Sequence, residues 1–219
     1  MRDRARSKNG RSRLIGAGAL SSVPYDGGTM RAAVIQLNSQ DDVKKNLDRA
    51  AVLASEAARS GATLLALPEN FAFMGEETQK REIAESTESG PSEKPGPITS
   101  AVIDIAKSAG AWVVAGGMPE KSGDAQRPFN TSLLVAPDGT VAMRYRKIHL
   151  FDVDLPDGTK LLESGATSAG SDHAVHTIAQ DLRLGMTICY DLRFPELYRR
   201  LSAEGVRIVT VPAAFTLTT

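Results

Sequence analysis

Three side chains of unlike chemistry could together cleave an acyl bond: Glu69, Lys147 and Cys189, the only cysteine among 219 residues. A thiol needs a proton acceptor before its sulfur attacks a carbonyl, and the oxyanion that develops needs a positive charge. One carboxylate and one ammonium supply both. Taken singly, each has a plainer reading. A Glu or Lys after a strand is ordinarily a solvated loop charge, and a cysteine is commonly a buried core residue. The complementarity of the set is what singles it out.

The elements that must bring these residues together read as alternating strand and helix from Met30 onward, the pattern of βαβ units. Residues 31–38 read as a strand. Residues 41–60 read as a helix with Val43, Leu47, Ala50, Ala54 and Ala57 on one face, acidic residues at its start and Gly61 at its stop. A strand at 63–67 runs into Pro68-Glu69-Asn70. The polar stretch 74–97 is long enough to be a functional loop. Pro97 opens a helix that Gly110 closes, and residues 111–116 form a buried-type strand. Two strands at 130–136 and 140–146, joined by Pro137-Asp138-Gly139, form a hairpin that delivers Lys147. A second pair, 173–178 and 182–188, delivers Cys189; a short helix from Pro195 to about Ala203 and a strand at 206–211 follow. Glu69, Lys147 and Cys189 each fall just beyond a strand's carboxyl end, the edge where open α/β sheets place their sites.

Composition narrows the function classes. Lys and Arg total 26 against 26 Asp and Glu, and 42% of residues are hydrophobic. That balance makes no case for nucleic acid, and no window approaches the roughly 18 apolar residues of a membrane span. One cysteine allows no intrachain disulfide and fits a reducing, cytoplasmic setting. His173 and His176 are three apart on a strand-like segment and so point to opposite faces, a poor arrangement for a shared metal. No histidine stands in a recognisable cysteine-protease context. Residues 1–29, where Arg2, Arg4, Arg6, Lys8, Arg11 and Arg13 face only Asp3 and Asp26, read as a basic extension outside the fold, disordered or upstream of the native start, with organellar targeting a weaker reading.

Three segments carry a resemblance. Leu67-Pro68-Glu69-Asn70-Phe71, Tyr145-Arg146-Lys147-Ile148-His149-Leu150-Phe151 and Cys189-Tyr190-Asp191-Leu192-Arg193-Phe194-Pro195-Glu196-Leu197 resemble, in order and spacing, the three signature blocks of the nitrilase superfamily of carbon–nitrogen hydrolases. The wording is similar to the branch containing deaminated-glutathione amidase and ω-amidase. The resemblance covers residues 31–219 and implies an α/β fold, an αββα sandwich of two mixed sheets flanked by helices. It also implies that residues 30–219 are one hydrolase domain lacking its C-terminal part, since family members continue beyond Val211-Pro212-Ala213-Ala214-Phe215.

By that resemblance Glu69 is general base and later acid, Lys147 the electrostatic stabiliser, Cys189 the nucleophile, and Glu163 the second glutamate that orients Lys147. The backbone N–H of Tyr190 joins Lys147 in holding the oxyanion. No metal or organic cofactor is required; the partners are a small amide and water, with a homodimer or larger homo-oligomer for the full-length protein. Arg193, four residues after Cys189, offers a planar fork suited to a substrate carboxylate; its alternative is a scaffold pairing with Asp191 or Glu196. Nitrile and N-carbamoyl hydrolysis use the same kind of site and stay open at this point, as does a non-catalytic binding or assembly role for a chain that retains the fold.

Overall fold

The computed structural model describes residues 13–15, 18–87, 94–154 and 158–215. In chain order the elements are β1 (Arg13–Ile15), β2 (Gly18–Tyr25), β3 (Gly28–Ile35), α1 (Val43–Arg59), β4 (Leu64–Ala66), α2 (Pro97–Ala109), β5 (Trp112–Glu120), β6 (Phe129–Val135), β7 (Val141–Arg146), β8 (Asp152–Asp154), β9 (Lys160–Leu162), β10 (Ala174–Ala179), β11 (Leu182–Met186), α3 (Pro195–Ala203) and β12 (Val206–Thr210). Strands β1 to β7 form one sheet in sequential order, β10-β11-β12 a second, and β8-β9 a small hairpin. The β3-β4-β5 centre of the large sheet and the β11-β12 pair are parallel, and the remaining pairs are antiparallel.

Period-two alternation divides the large sheet's side chains between two cores. Leu65, Val113, Ala115, Leu133 and Val135 face α1 and α2, meeting Leu53, Ala57, Val102 and Ile105. Leu64, Val114, Leu134 and Tyr145 face the other way, onto Leu182, Leu184, Met186 and Ile188 of the second sheet and its flanks. The far side of that sheet takes α3, whose Leu201 lies so close to Gly185 that a Cβ there would come within 3.1 Å of both its methyls. The layers are therefore helix, sheet, sheet, helix, with the β-on-β interface at the centre.

The helices start and stop for identifiable reasons. Asp42 caps α1 by accepting from Lys45 N at 3.0 Å. Pro97 occupies the first turn of α2, Gly110 ends it at φ 58°, and Glu85 reaches in from the preceding loop to accept from Ile98 N and Thr99 N. The Pro137-Asp138-Gly139 turn sets Gly139 at φ 90° and returns the Thr140 N–H to Asp138. Pro195 opens α3.

The N-terminal boundary differs from the sequence expectation. Residues 1–12 and 16–17 lie outside the described residues, but Gly18–Tyr25 is a strand paired along its whole length with β3. Leu20 joins one core and Val23 and Tyr25 the other, while Arg207 of β12 donates to Pro24 O. Ordered structure thus begins ahead of Met30. Its signal is faint because Gly, Ala, Ser and Pro supply little of the β-branched and aromatic character that marks strands. Within the 74–97 loop, Glu77–Arg81 is a short 3-10 helix and residues 88–93 lie outside the described set. No described helix is long and apolar enough to cross a membrane.

Leu134 is fully buried between the sheets, so Leu134→Ala should cost about 2–5 kcal/mol. Urea unfolding followed by circular dichroism measures this; a loss of under about 1 kcal/mol would mean the sheets do not share a packed core.

Candidate active site

Strand direction gathers the site at one edge. Glu69 lies just beyond β4 and bridges to Gly117 in β5. Because β6 and β7 are antiparallel to their predecessors, the start of β6 (Asn130) and the end of β7 (Lys147) share that edge. The parallel β11 and β12 deliver Cys189 and Ala214 from the second sheet. A cavity of about 380 Å³ is lined by Glu69, Lys147, Glu163, Cys189, Tyr190 and Arg193 together with Met74, Glu77, Lys80 and Phe215. All six residues named from the sequence therefore meet at one pocket.

Lys147 is 2% exposed, a position at which an ammonium persists only if paired. Its Nζ lies 3.1 Å from Glu69 Oε1, and 3.1 and 2.9 Å from Glu163 Oε1 and Oε2. Burial alone would lower its pKa. The charges of Glu69 and Glu163 outweigh that cost and hold the ammonium above the ordinary lysine range. Glu163, opening a 3-10 turn after β9, is fixed by the Phe151 N–H at 2.6 Å. Glu69 Oε2 accepts from Ala214 N at 3.0 Å.

Cys189 sits at φ 47°, a left-handed conformation that costs a non-glycine residue about 1–3 kcal/mol and persists only where the surroundings impose it. Its N–H donates to Pro212 O at 2.8 Å. Two residues on, the buried Asp191 clamps the turn: Oδ2 accepts from Ile188 N at 2.8 Å and Tyr145 Oη at 2.6 Å, and Oδ1 accepts from His149 N at 3.1 Å and lies 2.7 Å from His149 Nδ1. One carboxylate thus ties the cysteine turn to both sides of Lys147. Burial pushes the Cys189 thiol up to about 12; the Glu69 charge adds to this, while the Ala214 N–H and Lys147 oppose it. Two carboxylates around one ammonium already leave the site net negative, and a thiolate would deepen that.

Tyr190 stacks edge-on against Phe151 and Phe194, and His149 lies flat on Phe194 at 3.7 Å between centroids. Arg193 is exposed at the pocket wall and makes neither scaffold pairing considered from the sequence: Asp191 serves the clamp, and Glu196 pairs with Arg199 at 2.6 Å. His173 pairs with Glu204, and His176 tilts against Trp112. Sequence reasoning passed over Asn130, whose Nδ2 donates to Glu69 Oε1 at 3.0 Å and, longer, to Glu163 Oε1 at 3.5 Å. It also gave no clamp role to Asp191 and no contact to the Ala214 N–H. The available signal was the polar run Asn130-Thr131-Ser132, buried at the head of an otherwise apolar strand.

The carbon–nitrogen hydrolase family model matches residues 31–218. A deaminated glutathione amidase of Synechocystis sp. is 42% identical over 191 residues, covering 84% of this chain and 66% of that protein. The omega-amidase NIT2 of Bos taurus is 36% identical over 191 residues, 87% of this chain and again 66% of the relative. The chain thus spans 66% of the length of these curated relatives. Among solved structures, Saccharomyces cerevisiae Nit3, of branch 10 of the nitrilase superfamily, superposes with a TM-score of 0.74 at 28% identity, over 86% of this chain and 66% of that one. A glutamate-to-glutamine mutant of the amidase from Nesterenkonia sp. AN1, captured after Michael addition of acrylamide at its active-site cysteine, gives 0.70 at 27% identity over 85% and 67%.

An ordinary thiol, with a value of 9.0, is half ionised at pH 9; this one should remain protonated there. Thiolate absorbance near 240 nm is expected to stay absent at pH 9, and a full thiolate signal at that pH would contradict the geometry. Because the folded value lies above the unfolded one, this group's contribution to stability is complete below pH 9 and is lost as pH rises toward about 12.

Proposed function

The chain belongs to the carbon–nitrogen hydrolase family, and on that premise we propose that it is a thiol amidase that cleaves a small carboxylate-bearing amide and releases ammonia. The observation that carries this reading is the meeting of Glu69, Lys147 and Cys189 in one pocket, with Glu163 against the lysine. In the first half-reaction the thiol proton passes to Glu69 as Sγ bonds to the amide carbon. The resulting oxyanion is held by Lys147 Nζ and the Tyr190 N–H. Collapse breaks the C–N bond, and ammonia leaves with the proton returned by Glu69. In the second, Glu69 takes a proton from water, the hydroxide adds to the thioester, and collapse frees the carboxylic acid and restores the thiol.

The high thiol value suits this sequence. The proton leaves only as the carbon–sulfur bond forms, so no free thiolate adds a further negative charge to a site that already holds two carboxylates. Lys147, kept cationic by those carboxylates, is present when the oxyanion appears. Each positioned donor to an oxyanion is worth about 10²–10³ in rate.

Arg193 gives the substrate its second handle. It faces the pocket and forms no ion pair with another described residue, so its guanidinium is open to a carboxylate at the far end of the substrate. An ω-amide of a dicarboxylic acid and deaminated glutathione both have this form, and they are the substrates implied by the names of the two relatives.

A panel of 2-oxoglutaramate, deaminated glutathione, a simple nitrile and an N-carbamoyl amino acid, ranked by kcat/KM, tests the reaction class. The carboxylate-bearing amides are expected to lead; a nitrile or carbamoyl compound in first place overturns the amidase reading. Arg193→Lys should raise KM for carboxylate-bearing amides much more than for neutral ones, and equal effects on both would remove its role.

A further inference from the structure

Asn130 is 8% exposed at the start of β6, and its contacts reach Glu69, Glu163 and Lys147. The side-chain N–H2 donates to Glu69 and to Glu163, and the backbone carbonyl accepts from Lys147 N at 2.8 Å. The side-chain Oδ1 is buried with no hydrogen-bond partner. It lies over Gly117, where an added Cβ would come within 2.1 Å. Gly117 has no left-handed φ among the described glycines, so its backbone does not require glycine. The room above it is needed by Asn130.

We propose that Asn130 is a positioning residue that fixes which oxygen of Glu69 takes the thiol proton, with Gly117 as its seat. Oε1 of Glu69 already receives two donors, Lys147 Nζ at 3.1 Å and Asn130 Nδ2 at 3.0 Å. Oε2 receives only the Ala214 N–H, so it is the oxygen with lone-pair capacity left for an incoming proton, and it stands in the pocket that Cys189 also lines. The proton therefore moves from Sγ to Oε2, while Asn130 and Lys147 hold the carboxylate from behind. The amide cannot be turned over, since that would aim its carbonyl at two carboxylates. Its orphaned oxygen follows from this demand: both N–H groups are needed on one side, and only an uncluttered glycine is needed on the other. The roles assigned to Glu69 and Cys189 here rest on the proposed amidase reading.

Alkylation by acrylamide separates the two. The thiol adds across the double bond, its proton ending on the adjacent carbon, and intact-mass measurement reports on Cys189 alone because the chain has one cysteine. Asn130→Ala should slow alkylation about 10- to 100-fold, the order expected for misplacing a reacting group by about 1 Å. Asn130→Asp, nearly isosteric but unable to donate, should be slower still, because it repels both carboxylates and draws Lys147 away. Gly117→Ala, whose added Cβ would press on Asn130 Oδ1 and come within 3.3 Å of Glu69 Cγ, should slow alkylation at least as much as Asn130→Ala and supplies a second reading if an Asn130 variant fails to fold. A purely structural role predicts slowing that tracks lost stability in urea unfolding, whereas a positioning role predicts slowing in variants that keep the wild-type unfolding midpoint. Asn130→Asp as reactive as Asn130→Ala, or Asn130→Ala or Gly117→Ala at the wild-type rate, overturns the proposal. Absence of any amide hydrolysis by the wild-type chain would instead retire the amidase reading, and the alkylation order would still decide the role of Asn130.

Discussion

A lysine ammonium buried between two glutamates is the interaction on which the rest depends. Taking Lys147 out of water is costly, and Glu69 and Glu163 repay that cost only because both lie within about 3 Å and their other lone pairs are met by Asn130, the Phe151 N–H and the Ala214 N–H. Remove either carboxylate and the ammonium loses one of the two charges that offset its burial. In the proposed reaction the same arrangement keeps an ammonium available to a developing oxyanion, while burial, with the Glu69 charge adding to it, keeps the neighbouring thiol protonated until attack.

The layered fold makes this arrangement possible. Glu69 and Lys147 come from the large sheet, Cys189 and Ala214 from the small one, so the site spans the seam between them and depends on the β-on-β core for its geometry. Asp191 is the polar counterpart of that core. It joins the strained cysteine turn of one sheet to Tyr145 and His149, which flank Lys147 in the other. The energy stored at Cys189 is held in place by bonds on both sides of the seam, so stability and reactivity are coupled at this point.

Much of this was legible in the sequence because its signals are local. Helix α2 follows from Pro97 and Gly110 and the β6-β7 hairpin from Pro137-Asp138-Gly139, while the two-sheet sandwich came from the resemblance carried by the three motif blocks. The catalytic candidates were marked by three motifs at strand ends. Strand β2 was not legible, because Gly18–Tyr25 gains its structure from pairing with β3 rather than from its own composition. Nor was the β8-β9 hairpin, whose strands are three residues each. Asn130 and the clamp role of Asp191 escaped for a different reason. Their importance lies in which atoms they face across gaps of 61 and 46 residues, and no one-dimensional pattern encodes such a contact.

The central claim is that the Cys189 sulfur attacks an amide carbon and carries the acyl group. Rapid acid quench of the protein during turnover of an ω-amide, followed by intact-mass measurement and peptide mapping, tests it most directly. The account predicts a mass increase equal to the acyl group, located on the peptide bearing Cys189 and missing from Cys189→Ala. Turnover of the amide with no acyl adduct at that residue, or undiminished turnover by Cys189→Ala, would contradict it.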